Sequence, residues 1–287
     1  MLRRLARTLI ALPLLVVLAA VGSWQLPAGG QHAATFRWHM DDPRFGGFSS
    51  LRMDPDGRGF TTITDKGDWL QGTLIRDGAR ITGVTAGPLT ALRNTKGDPV
   101  ARAESDSEGF TFAPDGGLVV TFEQRTGLRH YPTIGGVPTV IDDAPFQTLP
   151  FNAGLESLAF DGPDLLTIPE APNNGTFTVW RLHGTWRRDF AIHERGIFRV
   201  ADADVFEDHL YILERAFFGF GFSSRVRRFD LTGGGEVTLL TSRPGKFDNL
   251  EGLSVWRDGA EVVLTMISDD NFMPFERTEF VEYRFPD

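Results

Sequence analysis

Asp248-Asn249-Leu250-Glu251-Gly252-Leu253 sets one acid, Glu251, directly at the head of an apolar run, and four upstream stretches follow the same rule. They are Gly46-Gly47-Phe48-Ser49-Ser50-Leu51, Asp106-Ser107-Glu108-Gly109-Phe110, Asn152-Ala153-Gly154-Leu155-Glu156-Ser157-Leu158 and Asp202-Ala203-Asp204-Val205. With Ser49, Glu108, Glu156, Asp204 and Glu251 taken as equivalent, the steps between them are 59, 48, 48 and 47 residues. The longer first step contains the polar stretch 93–99, which reads as an inserted loop. A period of roughly 40 to 50 residues made of short strands is the mark of propeller blades.

Each opening run meets a turn and comes back. The corners are Met53-Asp54-Pro55-Asp56-Gly57, Ala113-Pro114-Asp115-Gly116-Gly117, Phe160-Asp161-Gly162-Pro163, Phe206-Glu207-Asp208-His209 and Trp256-Arg257-Asp258-Gly259. Asp-Gly signals a hairpin because glycine accepts positive φ. The returning runs 118–122, 165–168, 210–213 and 262–267 are rich in strand formers. After Glu251 there is chain for about three strands, so the stretch 34–40 is expected to supply the fourth and to close the ring by pairing the two termini. The expected fold is all-β, a β-propeller with five blades; six remain open if the long first repeat conceals a degenerate one.

The 287 residues are 41% hydrophobic and 23% charged, which excludes general disorder and suffices for one large core. There is no cysteine, so disulfides, thiolate zinc, iron–sulfur clusters and cysteine nucleophiles are excluded together. Arg3, Arg4 and Arg7 precede the uncharged stretch 8–22, which predicts a secretory signal peptide over 1–30, with a retained N-terminal anchor as the alternative. A periplasmic or secreted monomer, one propeller over 31–287, is the expectation. Removing 1–30 takes away those three arginines and no acid, so the net charge moves from −9 to −12 and argues against a nucleic-acid partner.

Hairpin geometry converts this fold into a site. The start of an inner strand and the end of its antiparallel return share one edge. Asp65, Glu123, Glu170, Glu214 and Asp269 end the returns. They are expected around the mouth of the central channel, with Ser49, Glu108, Glu156, Asp204 and Glu251 around the channel itself. Four carboxylates and a hydroxyl aimed at one axis repel unless raised pKa values or a cation compensate. Calcium, which accepts about six to eight oxygens in flexible geometry, is the expected cofactor, one ion held by Ser49, Glu108, Glu156, Asp204 and Glu251. The histidines lack the paired spacing of a zinc or iron site. Asp65, Glu123, Glu170, Glu214 and Asp269 are the candidate catalytic groups, with Asp269 or Glu123 placed first for orienting or deprotonating water. Lys66, Arg125, Arg215 and Arg277, together with Asp270 and Asn271, are the candidate substrate-binding groups, the arginines as two-pronged holders of phosphoryl oxygens.

The chain also resembles a known family. Phe45-Gly46-Gly47-Phe48-Ser49 with Thr64-Asp65-Lys66-Gly67, Asp106-Ser107-Glu108-Gly109, Gly154-Leu155-Glu156, Leu213-Glu214-Arg215, Asp248-Asn249-Leu250-Glu251-Gly252, and Ser268-Asp269-Asp270-Asn271-Phe272 with Glu276-Arg277-Thr278 resemble the secreted bacterial phytase-like domains. Ser157 departs from the pattern, where glycine is expected. The resemblance implies a propeller outside the cytoplasm with phosphoesterase or esterase activity. One serine and several acids around an axis are also similar to the calcium-activated nucleotidases (apyrases). The expected function is thus a calcium-dependent hydrolase of a small anionic ester, phosphoric ester preferred. The alternative is a non-catalytic ligand- or protein-binding propeller with a structural calcium, to which the stretch 217–222 would lend an apolar surface. No Gly-x-Ser-x-Gly elbow supports a serine esterase.

Overall fold

The computed structural model describes residues 29–123, 127–149 and 154–286. All but the last two residues of the expected signal peptide lie outside the described residues, as does Arg125. Among the described residues no helix is long and apolar enough to cross a membrane.

The first strand is β1 (Gln31–Arg37). Blade one holds β2 (Phe48–Met53), β3 (Gly59–Thr64), β4 (Asp68–Asp77) and β5 (Arg80–Ala86), with the short β6 (Thr90–Ala91) also paired to β4. Blade two is β7 (Ser107–Phe112), β8 (Leu118–Phe122), β9 (Gly127–Tyr131) and β10 (Thr139–Ile141). Blade three is β11 (Leu155–Asp161), β12 (Asp164–Pro169), β13 (Thr176–His183) and β14 (Thr185–His193). Blade four is β15 (Arg199–Phe206), β16 (His209–Phe217), β17 (Phe222–Asp230) and β18 (Val237–Thr241). Blade five is β19 (Asn249–Asp258), β20 (Glu261–Asp269) and β21 (Glu279–Pro286), completed by β1, which runs antiparallel to β21 with Phe36 opposite Phe280. This is the five-bladed, terminally closed propeller that the spacing predicts. The long first repeat hides no sixth blade: within 93–99 Arg93 bridges Pro99, and Gly97 N donates to Asn94 O at 2.9 Å, forming a loop.

Burial follows position in the blade. Every residue of β2 and all but the last two of β19 are buried, as inner strands covered on both faces must be, whereas β13 alternates between half-buried and buried positions from Thr176 to Leu182. Five apolar clusters each join two neighbours around the ring. Ile63 meets Phe110 and Val120 between blades one and two, and Val119 and Leu128 meet Leu158 and Leu165 between two and three. Ile168 and Phe177 meet Ile212 and Phe229, Leu213 and Val226 meet Leu253 and Leu264, and Val263 and Phe280 meet Phe60 and Leu70. Every blade face therefore has a partner, which is what closure of the ring requires energetically.

One side chain crosses the axis. Arg52, 5% exposed on β2, donates from Nη1 to Asp202 Oδ2 (2.9 Å) and to the carbonyls of Leu51 (2.6 Å) and Leu253 (2.7 Å). Its Nη2 donates to the carbonyls of Leu158 (2.7 Å) and Ala203 (2.9 Å). A single guanidinium thus ties the inner strands of blades one, three, four and five. Asp202 also accepts from Ser50 Oγ, Ala203 N and Leu253 N, and burial lifts its pKa to about 6 against the pull of Arg52.

Candidate active site

At the mouth edge every inner strand carries an irregularity in its pairing with the second strand. The register skips Ser49 in β2, Glu108 and Gly109 in β7, Glu156 in β11, Ala201 in β15 and Glu251 in β19. A bulge takes a residue out of the ladder and re-aims its side chain, so these bulges put one group per blade at the head of the channel. The same register defines the second set: the residues after Thr64, Phe122, Pro169, Glu214 and Ser268 are Asp65, Glu123, Glu170, Arg215 and Asp269.

Two expectations are corrected here, both in blade four. Asp204 lies three residues farther along β15 than the bulge, half-buried, where its Oδ2 accepts from Val255 N at 2.7 Å. Ala201 takes the equivalent position. Glu214 is fully buried, gripped by Arg225 Nε at 2.7 Å and by Arg227 Nε and Nη2 at 2.8 and 2.6 Å. Parity is the cause: a slip of one residue along a strand turns the side chain to the opposite face.

The slip installs a cation where a fifth acid was expected. Arg215 Nη1 is 3.1 Å from Glu251 Oε1 and its Nη2 is 3.8 Å from Glu170 Oε1. Burial works against the charge on Arg215, yet Glu251, Glu156, Glu170 and Glu108 hold its pKa above the ordinary value. For Glu156 and Glu251, burial pushes the pKa up and Arg215 opposes the rise.

Across the cup, Asp106, Glu108 and Glu123 of blade two each bring one oxygen within 4.8 Å of the others. Glu108 titrates well above the usual carboxylate range, first through burial and then through Glu156, Glu251, Asp106 and Glu123. Burial, then Asp106 and Glu170, raise Glu123 as well. Blade five repeats the layout, with Asn249, Glu251 and Asp269 at the register positions of Asp106, Glu108 and Glu123. Asn249 Nδ2 donates to Glu251 Oε1 at 2.6 Å. Burial, reinforced by Glu251, Asp65 and Asp270 and opposed by the amide of Asn271, pushes Asp269 up to about 9. Asp65 rises to about 6 through burial, with Lys66 opposing and Asp106, Glu251 and Asp270 adding.

These donors fit a hard divalent cation. Calcium–oxygen bonds of about 2.3–2.6 Å allow ligand oxygens to stand up to about 5 Å apart. Asp65 Oδ1 and Asn249 Oδ1 are buried oxygens without a hydrogen-bond donor, the kind of orphan that an ion satisfies. The grouping differs from a five-donor ring on the axis. Among the described residues Glu108, Glu156 and Glu251 do not close to that distance together, and the Ser49 hydroxyl donates to Ser107 O at 2.6 Å. The oxygens that do close to that distance all belong to blade two, whereas the ion pairs of Arg215 go to Glu251 and Glu170.

The remaining candidates divide by what they touch. The Lys66 ammonium lies on the ring of Phe272, and burial lowers its pKa while Asp65 opposes. Asp270 accepts from Gly47 N (3.2 Å), Phe272 N (3.1 Å) and Thr278 Oγ1 (3.1 Å), stitching the first loop to the last. Gly47, at φ +66°, is required there, since a Cβ would collide with Asp65 Oδ1 and Phe272. Asn271 N donates to Asp269 Oδ1 at 2.7 Å, and Arg277 Nε binds Asp248 Oδ2 at 2.9 Å. Asp106 and Asn249 are the site residues that motif reading missed. Their shared spacing, two residues ahead of Glu108 and Glu251, was the available signal.

The family model for phytase-like proteins, described as esterase-like activity of phytase, matches residues 43–272. No curated protein matches the chain. Among solved structures, the catalytic domain of the Coprinopsis cinerea GH62 α-L-arabinofuranosidase is similar with a TM-score of 0.55 at 12% identity, over 91% of this chain and 98% of that one. A protein of unknown function from Dyadobacter fermentans gives a TM-score of 0.48 at 9% identity, over 91% and 100%. At 12% identity the likeness to the arabinofuranosidase domain is one of fold alone.

Proposed function

The chain belongs to the phytase-like family, and from that premise we propose that it hydrolyses anionic esters, phosphoric esters first, with a divalent cation, calcium, bound on the blade-two side of the cup. The carrying observation is the convergence of Asp106, Glu108 and Glu123, each of which brings one oxygen within 4.8 Å of the others. Those three residues would hold the ion, which would neutralise phosphoryl charge and polarise the P–O bond. Asp65, at about 6, is ionised at neutral pH and suits taking the proton of an attacking water as the new O–P bond forms. Asp269, at about 9, keeps its proton and suits passing it to the departing oxygen as the ester bond breaks. Among the described residues Arg215, whose Nε is buried without a partner, and Lys66 are cations beside these acids that would hold phosphoryl oxygens. A periplasmic or secreted setting and a monomeric state belong to the same reading, supported by the N-terminal sequence pattern.

The test is hydrolysis of 4-nitrophenyl phosphate and of nucleotides by the purified protein with calcium or with chelator. Turnover should require calcium and disappear in Glu108→Gln while the melting transition persists. A folded protein inert toward a panel of phosphate and carboxylate esters, calcium present, would leave the non-catalytic binding propeller as the better reading.

A further inference from the structure

Beside the cup the mouth carries a second feature of opposite character. β16 runs past Arg215 to Phe217 and returns through 218–221 into β17, and the loop 270–278 joins β20 to β21 at the same edge. Between these two loops lies a pocket of about 350 Å³ walled by Phe217, Phe220, Phe222, Phe247 and Phe275, with Arg277 and Asp248 at its side. Phe220 is 79% exposed, Phe275 71% and Phe217 58%, the most exposed phenylalanines among the described residues. Most of the other phenylalanines are packed between blades. Exposed aromatic surface gathered in one concavity marks a binding surface.

The pocket is joined to the cup by short links. Glu276 Oε2 accepts from Asn271 Nδ2 at 2.6 Å, and Asn271 N donates to Asp269 Oδ1 at 2.7 Å. Asp248 precedes Asn249, whose amide holds Glu251. Arg215 and Phe217, two residues apart on β16, project from the same face of the blade.

We propose that this pocket is a substrate subsite, seating a flat apolar group of the ester whose anionic head enters the cup. The inference rests on the ester-hydrolase reading above and narrows its substrate class to amphipathic esters of aryl or comparable apolar alcohols. Charge points the same way. Among the described residues Asp65, Asp106, Glu108, Glu123, Glu170 and Asp269 gather at the mouth edge, with Arg215 and Lys66 beside them. Each additional phosphoryl group would meet these acids, whereas an aryl ester brings one phosphoryl group and an uncharged remainder.

The experiment is calorimetric titration of the purified protein, at fixed calcium, with two non-hydrolysable probes, 1-naphthylmethylphosphonate and methylphosphonate. Repeating it with Phe220→Ser/Phe275→Ser changes two side chains that stand in solvent. The naphthyl probe should bind about 10- to 100-fold more tightly, the range expected for burying such a group, and the preference should fall to within about threefold in the variant. Equal affinities, binding of neither probe, or a preference that the variant leaves intact would overturn the subsite. Naphthyl preference retained without turnover of 1-naphthyl phosphate would uphold the subsite and refute the hydrolase reading, so the two claims fail separately.

Discussion

Arg52→Leu removes the guanidinium that crosses the channel. The substitution strips donors from the carbonyls of Leu51, Leu158, Ala203 and Leu253 and leaves Asp202 without its cation. Asp202 keeps Ser50 Oγ at 3.1 Å, Ala203 N at 2.8 Å and Leu253 N at 2.9 Å, which blunts the damage. Removing one partner of a buried pair costs about 3–5 kcal/mol, and for a domain of this size that corresponds to a fall in Tm of about 6–20 °C. The sign with pH follows from Asp202, whose pKa stands at about 6 in the folded chain against an ordinary 3.8. A carboxyl raised in this way contributes stability that is complete below its unfolded value and is lost as pH rises through the folded one. Arg52 holds the rise down, so its removal pushes the carboxyl higher and the deficit of the variant widens between about pH 5 and about pH 8. Urea unfolding at both pH values, on Arg52→Leu and on Arg52→Leu/Asp202→Asn, reads this directly, with the second substitution restoring part of the loss and flattening the pH dependence. A loss below about 1 kcal/mol at the higher pH, or no recovery in the double variant, would refute the pinning role of the pair.

Calcium should raise Tm and chelator lower it, by about 2.7 kcal/mol of stability at a hundredfold excess over Kd, in differential scanning calorimetry. Glu108→Gln/Glu123→Gln should abolish that response; an intact response in this variant would put the ion elsewhere. In chelator the protein should lose stability as pH climbs from about 4 toward about 9, because Asp65 and Asp269 titrate above their ordinary values in the fold. A melting temperature that rises over this range would contradict the burial of both carboxyls. If Asp65 is the base and Asp269 the acid, kcat/KM should rise through about pH 6 and fall through about pH 9. Asp269→Asn should lower kcat by about 10²–10⁴-fold and remove the alkaline limb, and an unchanged limb would reassign the acid.

The ring was legible because each blade repeats one grammar at nearly one interval, and the odd interval had a visible polar insertion to account for it. Blade four was not. Asp202-Ala203-Asp204 and Leu213-Glu214-Arg215 both offer an acid within a few residues of the position that geometry selects, and spacing alone does not say where a bulge falls. A bulge at Ala201 and a return strand whose parity presents Arg215 together exchanged two expected acids for a small residue and a cation. The acids that converge instead are Asp106, Glu108 and Glu123 of blade two. Ser157 illustrates the reverse case. It stands where glycine was expected, and its hydroxyl is absorbed by a contact to Ile168 O at 3.3 Å.

Closure by β1 against β21 also has a consequence for the life of the nascent polypeptide. Once β1 has been made, roughly 240 residues must follow before its partner exists, an interval of roughly ten to fifty seconds at ordinary elongation rates. Throughout it Trp38 lacks Phe280, the ring it later meets at 5.5 Å. A chain still lacking Glu279–Pro286 would hold four complete blades with raw flanks, a target for chaperones and proteases wherever it folds, and docking of the final strand is the event that makes the product durable.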